Sequence, residues 1–170
     1  MAEKLKLRAE DEEDVQVISA CLQDALVAVG DMCFLKDEHR FVLVANRFCW
    51  EDVSADSLPE IADADGDEDV SPDEEEDAGY QRVHCGLCFE TVTGVKVRGF
   101  DPRDSSRILE LLALTTEGED GSAAVRLIFA GDAEILLRTE RVECRMEDLD
   151  EHWPTAFRPK HPVAPSGQNR

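Results

Sequence analysis

The sequence predicts an α+β fold: seven or eight antiparallel strands in a sandwich or partly open barrel, with one N-terminal helix packed on them. Three observations carry this. Arg82 to Leu137 repeatedly alternates apolar and polar residues, the period-2 mark of half-buried strands. Asp11 to Val29 shows the 3.6-residue recurrence of a helix instead. Glu51 to Gly79, between them, has the composition of neither.

The helix is predicted over Asp11–Val29, with Val15, Ile18, Leu22, Ala25, Leu26 and Val29 as its apolar stripe. Asp11 can cap it, Glu12, Glu13 and Asp14 suit the positive end of its dipole, and Gly30 is a natural stop. Met32–Leu35 and Phe41–Ala45 read as a hairpin around Lys36–His39, the second strand running on through Trp50 with both faces largely covered.

In the central stretch Val83, Cys85, Leu87 and Phe89 form a core face, and Arg82, His84, Gly86, Cys88 and Glu90 a wetter one. Thr93-Gly94 reads as a turn into Val95–Arg98, whose Lys96 and Arg98 point outward. Asp101–Ser106 is a loop by composition, and Ile108–Leu114 reads as a strand covered on both faces or a short helix. Glu117–Ser122 and Gly131-Asp132 are turns, with Val125, Leu127 and Phe129, then Ile135 and Leu137, facing inward. Arg141–Leu149 fits a strand or a helix equally well. In the following Glu151–Pro162 three prolines exclude a regular helix or central strand, and Trp153 and Phe157 are expected to dock this tail on the body.

A chain of 170 residues fits one domain, 1–170, with 51–79 as a disordered acidic insert and 163–170 as a fraying tail. The insert holds 14 of the 39 acids and no Lys or Arg; the other 25 acids face 18 bases, so the formal charge of -21 reduces to about -7 outside it. That balance argues against duplex nucleic acid, whose binding rests on neutralising phosphates. No apolar run is long enough to span a membrane, and the first residues lack the apolar core of a signal peptide. A cytoplasmic location is therefore expected, with the six cysteines as thiols rather than disulfides.

Several motifs invite chemistry. Cys85-Gly86-Leu87-Cys88 is a C-x-x-C, but on a strand its two cysteines point to opposite faces, and no second ligand pair follows. His84 and Cys88 share a face roughly 13 Å apart. Cys21, Cys33, Cys49 and Cys144 are scattered and expected to be buried. Asp63-Ala64-Asp65-Gly66-Asp67, with Val70 and Glu74, resembles a calcium loop, yet Glu68 stands where the sharp turn needs glycine and Pro72 interrupts. It reads better as a charge run. Ser19, Ser105, Ser106 and Thr115 lack a nucleophile-elbow context, and His39, His84, His152 and His161 are isolated.

Four segments, Ile18-Ser19-Ala20-Cys21-Leu22-Gln23-Asp24-Ala25, Val44-Ala45-Asn46-Arg47-Phe48, Arg82-Val83-His84-Cys85-Gly86-Leu87 and Trp153-Pro154-Thr155, together resemble a bacterial group, domain-of-unknown-function family 2948. The resemblance covers most of the chain except the insert, which is long beside the family's pattern. It implies a small cytoplasmic bacterial protein and carries over no catalytic or binding residue.

One concrete version of the fold is a barrel of the pleckstrin-homology type closed by a short helix over Val142–Asp150. Such barrels serve many functions. The favoured function is a non-catalytic binding or adaptor domain, with Arg82, Lys96 and Arg98 meeting an anionic ligand or protein partner, and no cofactor. The alternative is an enzyme or metal-binding protein with a site near His84 and Cys88. The insert, tethered beside the three basic residues, is expected to touch them transiently.

Overall fold

A computed structural model describes residues 4–50, 80–119 and 122–155. The insert, with its calcium-like segment, and the tail from 156 onward, including Phe157, lie outside the described residues. In chain order the elements are β1 (Lys6–Ala9), α1 (Glu12–Cys21), β2 (Ala25–Ala28), β3 (Met32–Leu35), β4 (Arg40–Phe48), β5 (Gln81–Phe89), β6 (Val92–Arg98), β7 (Ile108–Glu119), β8 (Ser122–Phe129), β9 (Ala133–Thr139), β10 (Cys144–Asp148) and β11 (Trp153–Pro154).

The strands pair antiparallel in one sheet, in the order β1-β10-β5-β4-β2-β7-β8-β9-β6, with β3 also on β4 and β11 also on β5. The path does not close into a barrel: β1 and β6 are its two ends. Its two halves meet at β2, which pairs with β7 over four residues but with β4 only through Leu26 and Asn46. The core between them takes Ile18 and Leu22 from the helical segment, Leu43, Leu87 and Met146 from one half, and Leu111, Phe129 and Leu137 from the other.

The helix is shorter than its apolar recurrence predicts. Asp11 caps it, accepting from the Asp14 amide at 2.9 Å. It ends at Cys21, and Asp24 then takes a left-handed φ of 62° while its amide donates to the Leu111 carbonyl at 2.8 Å. From there Ala25 and Val27 point into the core as strand residues. The helix lies on β7, where a bulge between Leu111 and Ala113 lets the Leu114 amide donate to Ser19 Oγ at 2.9 Å.

Three further expectations are corrected. The turn lies at Glu90-Thr91, with Thr91 at φ 57°, and Thr93-Gly94 belongs to β6. β5 lies near one end of the sheet order and β6 at the other, so the chain crosses between the half-sheets at this turn and β5 and β6 do not pair. Ile108–Leu114 is covered on one face only, because Ile108 and Leu112 remain exposed. Val142–Asp150 contains the strand β10, Cys144–Asp148, rather than a closing helix: Cys144, Met146 and Asp148 alternate inward, and the strand pairs with both β1 and β5. The expected β3–β4 hairpin, by contrast, is present, turning through His39 at φ 53°.

Candidate functional site: a basic face on β6, β9 and β8

Ile135 and Leu137 of β9, with Val125 and Leu127 of β8, fill the core, so the alternate residues of both strands face outward. Cross-strand register then sets three rows on that outer face. Arg98, Glu134, Ile128 and Ala113 form one row. Lys96, Leu136, Arg126 and Thr115 form the next, and Gly94, Arg138, Ala124 and Glu117 the third. Rows two residues apart and four neighbouring strands give a face of roughly 13 by 14 Å.

Its charges are Lys96, Arg98, Arg126 and Arg138 against Glu117 and Glu134, four bases to two acids, in a chain whose formal charge is -21. Arg98 donates to Glu134 at 2.9 Å and Arg126 to Glu117 at 3.0 Å, and Arg126 also pairs with Glu134. The hydrogen bond that Arg126 donates to Glu117 leads the effects that raise the Arg126 pKa, so its charge is secure. Lys96 and Arg138 are exposed and make no ion pair among the described residues. Leu136 and Ile128, half-buried, give the face an apolar centre. Such a surface can hold carboxylates or phosphates by charge-assisted hydrogen bonds.

The sequence-derived residues are thus divided. Lys96 and Arg98 lie on this face with Arg126 and Arg138, which carry the same outward alternation. Arg82 lies on β5, separated from β6 by five strands along the sheet path, half-buried beside Asn46 Oδ1 at 3.5 Å. Burial, the largest influence on Arg82, lowers its pKa. The three do not share a strand pair.

His84 and Cys88 do lie on one face of β5, without joining into a reactive pair. His84 Nδ1 is held by Asp150 Oδ2 at 2.7 Å, and its ring lies 4.7 Å from that of Trp153. The Cys88 thiol donates to Glu90 at 3.5 Å, and burial foremost, with the Glu90 charge, raises its pKa. Cys85 points into the core, as expected from its strand position, and burial pushes its thiol up to about 12. Among the four scattered cysteines Cys49 and Cys144 are buried, Cys21 is half-buried and Cys33, on the short outer strand β3, is exposed.

One Cys–His contact was not legible from sequence. Cys49 Sγ lies 3.6 Å from His152 Nδ1, and His152 Nε2 lies 3.5 Å from Asp148 Oδ2. The order of groups resembles a nucleophile, base and orienting acid. Cys49 is fully buried, however, Asp148 is already bound by Arg47, and His152 Nδ1 also lies 3.1 Å from Gln81 Oε1, on the residue that pairs with β11. No group of three or more metal-ligating side chains occurs among the described residues. An open groove of about 350 Å³ on the outer face of β4, β5 and β10, floored by Val42, Val44 and Gly86, has a rim of mixed charge from Asp31, Arg145 and Glu147.

No helix among the described residues is long and apolar enough to cross a membrane. Comparison with curated proteins and with solved structures finds no match for this chain. A family model described as a protein of unknown function, DUF2948, matches residues 5–161, and the chain belongs to that family.

Proposed function

We propose that the protein is a non-catalytic binding module of the bacterial cytoplasm whose outer face on β6, β9 and β8 takes an acidic segment of a partner protein. The carrying observation is the three-row register that gathers Lys96, Arg98, Arg126 and Arg138 around Leu136 in a chain of opposite overall charge. At physiological salt the screening length is about 8 Å, so an acidic segment on this face responds to the local surplus of positive charge more than to the distant acids. Six cysteines held as free thiols suit a reducing compartment.

The test is a fluorescence titration of a labelled glutamate-rich peptide at physiological ionic strength. Lys96→Glu with Arg138→Glu should weaken binding at least about tenfold, as expected for close opposite charges replaced by like ones. Lys6→Glu with Arg103→Glu makes the same change in net charge on other surfaces and should have little effect. Equal loss in both double variants would show a response to total charge alone and remove the assignment.

A further inference from the structure

We infer that the acidic partner enters as an added strand along the open edge of β6, with acids and apolar residues alternating along it. This rests on the basic face described above and specifies how the partner is held. β6 pairs with β9 and with no other strand among the described residues. Only at its start does Val92 N–H reach outside that pairing, to His39 O at 2.8 Å. The opposite end of the sheet is different: β1 has four residues and carries the helix against it. β6 has seven, a backbone edge of roughly 23 Å with hydrogen-bonding groups on its far side.

The two faces of β6 define the partner. Lys96 and Arg98 lie on the basic face. Val95 and Val97 lie on the other, and Val97 is still 37% exposed, with no strand beyond it among the described residues. A strand laid beside β6 alternates its side chains in the same way. Acids on one parity would meet Lys96 and Arg98, while apolar residues on the other would cover Val97. Main-chain hydrogen bonds would supply affinity and the alternation specificity, as in other strand-addition complexes. A second copy of this chain is a poor occupant, since β6 against β6 brings Lys96 and Arg98 beside like charges.

The experiment uses the full chain and three fluorescein-labelled peptides of about seven residues, the length of the edge. One alternates glutamate and valine; one has the same composition in two blocks; the third is the alternating peptide N-methylated at every residue. The alternating peptide should bind saturably, at least about tenfold tighter than either control. Amide exchange across 93–98 should slow in its presence. If the N-methylated peptide binds as tightly as its parent while Lys96→Glu with Arg138→Glu still abolishes binding, strand addition is overturned and the basic face stands. If no peptide binds saturably, or binding ignores those substitutions, both fall. Peptide-independent dimers that bury β6 would also overturn the inference. Cooperative melting of the double variant confirms that it remains folded.

Discussion

Arg47 and Asp148, 101 residues apart, form a two-point ion pair with both side chains fully buried: Nε to Oδ1 at 2.9 Å and Nη2 to Oδ2 at 2.8 Å. The pair joins the end of β4 to the end of β10, and the Leu5 amide donates to the same carboxylate at 3.0 Å. Removing one member leaves a charge buried without its counterion. Asp148→Ala should therefore cost about 3–5 kcal/mol in urea unfolding, while Arg47→Met with Asp148→Leu should recover much of that loss. A double variant no more stable than the single would show that the charges themselves are needed.

The same pair gives a pH dependence. Burial alone would raise the Asp148 pKa, but the Arg47 hydrogen bond, the Leu5 amide, the Arg47 charge and His152 together hold it below the usual aspartate value. A depressed folded-state pKa stabilises fully above the unfolded value, near about 3.9, and the contribution is lost as pH falls through the lower folded value. Glu143 and Asp150 are depressed as well and act in the same direction. The urea midpoint should fall below about pH 4, and less steeply in Asp148→Asn.

Thiol labelling should be uneven. Cys33 is exposed, Cys49, Cys85 and Cys144 are buried, and burial raises the Cys85, Cys88 and Cys144 thiols. Under native conditions at pH 8 a disulfide reagent should show one fast thiol, absent in Cys33→Ser. Fast labelling that survives this substitution would place another cysteine within reach of solvent.

Replacing residues 54–77 by a short Gly/Ser linker should leave the melting temperature within a few degrees. The residues that flank 51–79 are held together by the body itself: Cys49 N–H donates to Gln81 O at 2.9 Å, and the Phe48 ring lies 4.6 Å from Trp50 and 5.6 Å from Tyr80. Loop-length entropy changes only slowly, so shortening alone has a small effect. A collapse of the melting transition would mean that the removed residues support the core.

Leu22→Asp should abolish cooperative melting. Leu22 is fully buried where the helix turns into β2, and a carboxylate there would have no counterion supplied. Retained cooperative unfolding would show that this corner is not packed as described.

The strand faces were readable from sequence because side-chain alternation is local. Val83, Cys85, Leu87 and Phe89 are buried as their spacing requires. The helix end was not readable in the same way: Ala25 and Val29 continue the helical recurrence, and only the left-handed Asp24 and its bond to Leu111 reveal the switch. The outward positions of Lys96, Arg98, Arg126 and Arg138 were equally local. What alternation does not supply is which strands are neighbours, and Arg82, outward by the same alternation, lies on a strand distant from Lys96 and Arg98 in the sheet.

The place of β10 between β1 and β5 also governs how the chain can fold during synthesis. Lys6 pairs with Glu147 and Ala9 with Cys144, so β1 waits for a strand made after β2 to β9. Until residues 144–148 emerge, β1 lacks its partner and β5 lacks one of its neighbours, although the β7–β8–β9 meander can already form from contiguous chain. Such non-local pairing is slow, because loop entropy is lost before contacts are gained. A nascent chain stalled before Cys144 should expose the β5 edge and protease-sensitive β1, and its capture by chaperones should end abruptly once β10 has cleared the ribosome.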